Sequence, residues 1–153
     1  MSMLKKVLII FIFLCIHSKL YSQENDILIE IPIGTIEKWE FNNELRTIIR
    51  DSDKNSKPRN INYIAYPFNY GIVINTFNKE DGDPLDAVVF GSRLEKGDTI
   101  KAKAIAVVKT IDSGEKDHKI IFAHHTSPIY KVNGKDELEK LFPGVIEIVS
   151  CLL

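Results

Sequence analysis

Asp81-Gly82-Asp83-Pro84-Leu85-Asp86-Ala87-Val88-Val89-Phe90 places an acidic turn directly in front of a strand-forming run. Three carboxylates within six residues repel one another unless cations or hydrogen bonds offset the repulsion. If the chain is extended, Asp81 and Asp83 share one side, and Pro84 then forces a turn that brings Asp86 round. Hard divalent cations such as Mg²⁺ take this set of oxygen ligands and usually keep several waters. A solvated acidic turn fits the bare pattern equally well. A calcium loop of the EF-hand type does not, because its twelfth position requires Glu and Ser92 stands there.

Outward from this turn, strand signals recur. Ile27–Ile31 is rich in β-branched residues and stops at Pro32, and Lys38-Trp39-Glu40-Phe41 alternates charged with aromatic. Further strands are expected at 70–74, 86–90, 99–109 and 119–123, with polar, Gly- or Pro-containing turns at 51–58, 78–84, 95–98 and 112–117. A helix is expected over Lys135–Phe142, between Asn133-Gly134 and Pro143-Gly144, and the apolar stretch from Val145 can start a second. Many short strands with few helices define a mainly β (α+β) class, a small β-barrel with helices packed outside. With 153 residues and no repeat or long linker, residues 24–153 read as one domain.

The first segment reads differently. Lys5 and Lys6 precede an apolar run from Val7 to Ile16, then polar residues up to Gln23, the layout of a secretory signal peptide. The run is too short for a membrane-spanning helix, so no stable span is expected once residues 1–23 are cleaved, and export to a periplasm or outside the cell follows. Loss of Lys5, Lys6 and Lys19 moves the net charge from −1 to −4, which argues against a nucleic-acid partner. Loss of Cys15 leaves Cys151 as a single thiol, so no internal disulfide can form.

Other residues carry chemistry. Asp112 and Asp117, followed by Lys119, sit in a Gly-containing turn that reads either as an exposed hairpin tip or as a second carboxylate cluster converging with the first. Tyr66-Pro67-Phe68-Asn69-Tyr70-Gly71 offers two tyrosines as core packing or as phosphate-facing hydroxyls, with packing the default. Glu30, Lys38, Glu40 and Arg59 are each ordinary surface ions alone. Beside a carboxylate–metal cluster, Lys supplies a point charge and Arg a bidentate donor for phosphate.

Taken in order, Ile29-Glu30-Ile31-Pro32, Lys38-Trp39-Glu40, the 66–71 segment, the 81–86 loop and Asp112–Lys119 resemble the soluble family I inorganic pyrophosphatases across nearly all of residues 24–153. The resemblance implies a five-stranded OB-like barrel that hydrolyses pyrophosphate to two orthophosphates with several Mg²⁺ ions. It implies Asp81, Asp86 and Asp117 as ligands of a first metal, Asp86 bridging to a second, and Asp112 with Asp117 holding another. Glu30 contacts metal through water with Glu40 nearby, Asp83 is the general base, and Lys38, Arg59, Tyr70 and Lys119 are phosphate contacts. Trp39 stands where the family often has Tyr. The 51–58 segment differs in length from the bacterial pattern, which makes Lys57 the alternative to Arg59. Family members continue past Phe142-Pro143-Gly144-Val145-Ile146 into a helix with a phosphate-binding Tyr-Lys pair, so a C-terminally short form is expected, its helix missing and its apolar end (Ile148, Val149, Cys151, Leu152, Leu153) with nothing evident to bury it. A metal- or phosphate-binding remnant without activity is the alternative function. A homo-oligomer is compatible with the sequence, which does not fix the oligomeric state.

Overall fold

The structure, a computed structural model, describes residues 24–61, 64–79, 82–112 and 114–153, with nothing described of the side chains of Asp112 and Glu115. The expected signal segment and Asp81 therefore lie outside the described residues. Among the described residues nine strands precede two α-helices: β1 Glu24–Ile31, β2 Trp39–Asn42, β3 Thr47–Arg50, β4 Asn69–Val73, β5 Asp86–Phe90, β6 Thr99–Val108, β7 Ile111–Asp112, β8 Glu115–Lys116, β9 Lys119–Ala123, α1 Lys135–Leu141 and α2 Val145–Leu152. Among the described residues no helix is long and apolar enough to cross a membrane.

β1, β4, β5, β9 and β6 close into a barrel in that order. Neighbours run antiparallel except β5 and β9, which are parallel with Asp86 opposite Lys119. Alternation along the strands sorts the apolar residues into two layers. Ile27, Ile29, Ala87, Val89, Ala102 and Phe122 pack as one cluster. Val88 and Ile121, on the opposite faces of their strands, join Tyr66, Phe68, Leu138 of α1 and Val149 of α2 in a second. The second layer is where the helices sit on the barrel.

Two irregularities shape β1. Its pairing with β4 shifts register between Ile29↔Gly71 and Ile31↔Tyr70, so Glu30 is the extra residue of a bulge, a device that re-aims a side chain near functional sites. At Gly71 the two strands approach so closely that a Cβ would lie 1.9 Å from the Leu28 carbonyl oxygen. That neighbour is backbone and cannot swing away. Gly71→Ala is expected to cost on the order of 3 kcal/mol or more, at or above the usual range for overpacking, read as a fall in the denaturant midpoint. An unchanged midpoint would contradict this close approach.

Two expectations change, and the 112–117 turn keeps its hairpin reading. β2 does not enter the barrel; it pairs with β3, a strand outside the expected set, as a separate two-stranded ribbon. The 112–117 turn is a small β7–β8 hairpin. The expected uncovered apolar end is corrected: Val145–Leu152 is helical, Val149 is fully buried, and Leu152 and Leu153 pack against the second cluster. Its remaining apolar residues follow helix geometry, leaving Ile148 outward.

Candidate active site

The acidic loop is shaped by its backbone. Asn78 N–H donates to the Asp83 carbonyl at 2.8 Å, Gly82 N–H to the Asn78 carbonyl at 2.9 Å, and Val73 N–H to the Leu85 carbonyl at 2.8 Å. Gly82 has φ +84°, a conformation that costs other L residues strain, which accounts for glycine between the two aspartates. The loop delivers Asp83 and Asp86 into one cleft, which Glu30, Lys38, Glu40, Tyr70, Asp117 and Lys119 also line.

Strand pairing makes the centre of this cleft. Because β5 and β9 start side by side, the Lys119 ammonium bonds the Asp86 carboxylate, and it reaches Asp117 at 2.5 Å. Lys119 is almost fully buried. Burial disfavours its charge, but Asp86 and Asp117 more than offset this and raise its pKa, so it stays protonated. Burial raises Asp86, while Lys119 and a hydrogen bond from Tyr70 pull the other way. Burial, and then the nearby Asp86, hold Tyr70 well above the usual phenol range, so its hydroxyl remains a donor at neutral pH.

Glu30, turned into the cleft by the bulge, is 3% exposed and accepts the Phe41 N–H at 2.6 Å. Burial raises its carboxyl to about 8, against that hydrogen bond. Burial, with repulsion from Asp51, also raises Glu40. Asp83 is exposed and accepts a hydrogen bond from Asn43 Nδ2 at 3.1 Å.

The cations at the rim are ordered by Asp51, a residue that the sequence places only at the start of a turn. Its side chain, 9% exposed, lies 3.4 Å from Lys38 Nζ and 2.9 Å from Arg59 Nη1. Arg59 does not line the cleft itself, and Lys57 donates its backbone N–H to Asp53 Oδ1 at 3.0 Å. In the 66–71 segment Tyr66, Phe68 and Asn69 take the packing role, while Tyr70 also lines the cleft. Tyr66, Phe68, Asn69 and Tyr70 are all buried. Asn69 Oδ1 accepts from Ile33 N–H and Leu94 N–H, and its Nδ2 donates to the Ser92 carbonyl at 2.9 Å, pinning two loops to β4.

The donor set of the cleft is oxygen only, the chemistry of a hard divalent cation. Among the described residues no three acidic, His or Cys side chains already converge as a metal cage. Lys119 provides the positive charge between Asp86 and Asp117.

The closed five-stranded barrel is a fold shared with solved inorganic pyrophosphatases. The structure is similar to the type I inorganic pyrophosphatase from Toxoplasma gondii, with TM-score 0.74 and 27% identity over 82% of this chain and 61% of that one. It is also similar to an N-terminally truncated vacuolar soluble pyrophosphatase of Trypanosoma cruzi in complex with PPi, with TM-score 0.75, 26% identity and 82% and 53% coverage. The inorganic pyrophosphatase family model matches residues 27–148, and the chain belongs to that family. Relatives include the mitochondrial inorganic pyrophosphatase of Saccharomyces cerevisiae, 32% identical over 80% of this chain and 46% of the relative. The inorganic pyrophosphatase of Dictyostelium discoideum is 34% identical over 84% and 50%. The chain thus spans about half the length of these curated relatives.

Proposed function

We propose that this chain hydrolyses inorganic pyrophosphate to two orthophosphates in a Mg²⁺-dependent reaction. The observation that carries the reading is the meeting of Asp83, Asp86, Asp117, Glu30 and Lys119 in one cleft with Lys38 at its edge. Asp86 and Asp117, together with Asp81 and Asp112, would hold the metal ions, with Glu30 contributing through water and Glu40 nearby. Bound magnesium supplies Lewis-acid charge neutralisation and a lowered water pKa.

The chain's own groups account for the rest. Asp83 accepts the proton of the attacking water, and its exposed carboxylate is suited to pass that proton to solvent. Lys119, held protonated by its two aspartates, and Lys38 face the substrate's phosphates and offset charge that accumulates on the leaving group. Tyr70 keeps its proton and donates a hydrogen bond from its hydroxyl to a phosphate oxygen. Arg59 becomes a phosphate contact when an anion outcompetes Asp51, since Asp51 is its counter-ion in the free protein.

The test is phosphate release from pyrophosphate with and without Mg²⁺. Release that needs Mg²⁺ and is lost in Asp117→Ala is the expected result. Saturable Mg²⁺ binding without turnover would reject catalysis and favour the binding-remnant reading. We further propose that residues 1–23 direct export. A mature N-terminus near Glu24 in the exported fraction is expected, whereas an intact Met1 on that protein would refute cleavage.

A further inference from the structure

The outer face of the barrel carries a second concavity, beside the cleft but separated from it by Phe41, Ile72 and Pro84, which line both. Leu28 and Ile72 are cross-strand partners on β1 and β4. Ile27 and Ile29 pack into the barrel cluster, so Leu28 faces outward. Together with Ile74 these residues form an apolar floor, and the β2–β3 ribbon overhangs it. Arg46 lines this concavity and also an adjoining one, which shares Leu28 and Phe41 with it and carries a second cation, Lys96. Arg46 sits at the turn of the ribbon with φ +54° and makes no hydrogen bond or ion pair among the described residues. Lys96 places its ammonium 3.0 Å from the centroid of the Trp39 ring.

We propose that this groove binds a small organic anion, a phosphate ester with an aromatic or short aliphatic body. An inorganic anion gains nothing from the Leu28–Ile72–Ile74 floor and keeps more of its hydration in bulk water, whereas a neutral apolar molecule leaves Arg46 unused. A molecule with both parts satisfies both walls: its anionic end takes the guanidinium as a forked donor and competes with Trp39 for Lys96. The occupant would touch the machinery of the cleft through the ribbon. Phe41 lines the groove and donates its N–H to Glu30, and Asn43 lines it and donates to Asp83 at 3.1 Å. An effect on turnover rests on the reading of Asp83 above; the binding itself does not.

Trp39, the single tryptophan of the chain, lines the cleft and touches Lys96, so its fluorescence responds to an anion at either place and competition with inorganic phosphate tells the two apart. Titration of the full chain with phenyl phosphate, without Mg²⁺ or pyrophosphate, is expected to saturate with a Kd on the order of 1 mM, reasonable for a ligand of this size. Arg46→Gln is expected to weaken binding by about 5-fold or more, with the thermal midpoint unchanged because Arg46 is exposed. Lys96→Gln should do the same, and it keeps the question open to measurement if the first variant folds poorly. Saturating inorganic phosphate is expected to leave phenyl phosphate binding in place. The proposal is overturned if no saturable change occurs, if both variants bind as tightly as the parent, or if inorganic phosphate displaces the probe and so places it in the cleft. None of these outcomes depends on whether the chain hydrolyses pyrophosphate.

Discussion

Asp83→Asn is expected to reduce Mg²⁺-dependent phosphate release by about 10²–10⁴-fold in kcat, the range that a positioned general base contributes. Asparagine has nearly the same shape, and its carbonyl oxygen can still accept from Asn43, so the geometry of the loop survives. What disappears is a group able to take a proton. Asp83 is exposed, and its backbone carbonyl accepts the Asn78 N–H that closes the loop, a bond that the substitution leaves in place. The thermal midpoint should therefore stay within the narrow range usual for surface substitutions. If Asp83 serves mainly as a metal ligand, the variant should instead regain much of its rate at high Mg²⁺. A rate that stays low at saturating Mg²⁺ separates the two roles. Full parental kcat at every Mg²⁺ concentration would remove Asp83 from the mechanism.

The part of the site written into local sequence was legible. Gly82 and Pro84 dictate the turn that holds the aspartates, and the alternating apolar residues of β1, β5 and β9 dictate which faces are buried. The packing role of Tyr66 and Phe68 also follows from the aromatic content of their segment. What was hidden depends on pairings distant in sequence. Asp51 by itself is the start of a polar turn. It becomes the anchor of Lys38 and Arg59 only because the β2–β3 ribbon folds back and sets Asp51 N–H on the Lys38 carbonyl at 3.0 Å. β3 escapes detection although Thr47, Ile48 and Ile49 are β-branched, since a four-residue strand outside the barrel gives too short a periodic signal. Lys119 reads as a phosphate contact, but no spacing rule reveals that a parallel β5–β9 pairing sets it against Asp86. The C-terminal stretch misleads for the same reason: its burial partners, Leu138 among them, come from another helix and from the barrel.

Glu30 provides the largest expected effect on stability. Its carboxyl titrates near 4.5 when solvated and near 8 in the folded, metal-free protein, with burial as the main cause. Between those two values the folded chain holds a proton that the unfolded chain has released, so stability falls as pH rises through this window. Below about 4.5 both states are protonated and the penalty is absent; above about 8 it is complete. At about 1.4 kcal/mol for each pH unit of this window, the full penalty is on the order of 5 kcal/mol, comparable with the total stability of a small domain. Asp86 and Glu40, also raised chiefly by burial, tilt the profile the same way, so the parent curve alone does not isolate Glu30. Glu30→Gln does, because the amide oxygen can still accept the Phe41 N–H while the titration is gone. Chemical denaturation at about pH 5 and about pH 8.5, in the presence of a chelator, should show the variant close to the parent at the lower pH and more stable by several kcal/mol at the higher. Adding Mg²⁺ should shrink that gap, because a nearby divalent charge favours the carboxylate form. A parent whose stability is flat between the two pH values, or a variant that tracks it in parallel, would mean that Glu30 is ionised and solvated in the folded chain, and the bulge in β1 would then not be burying it.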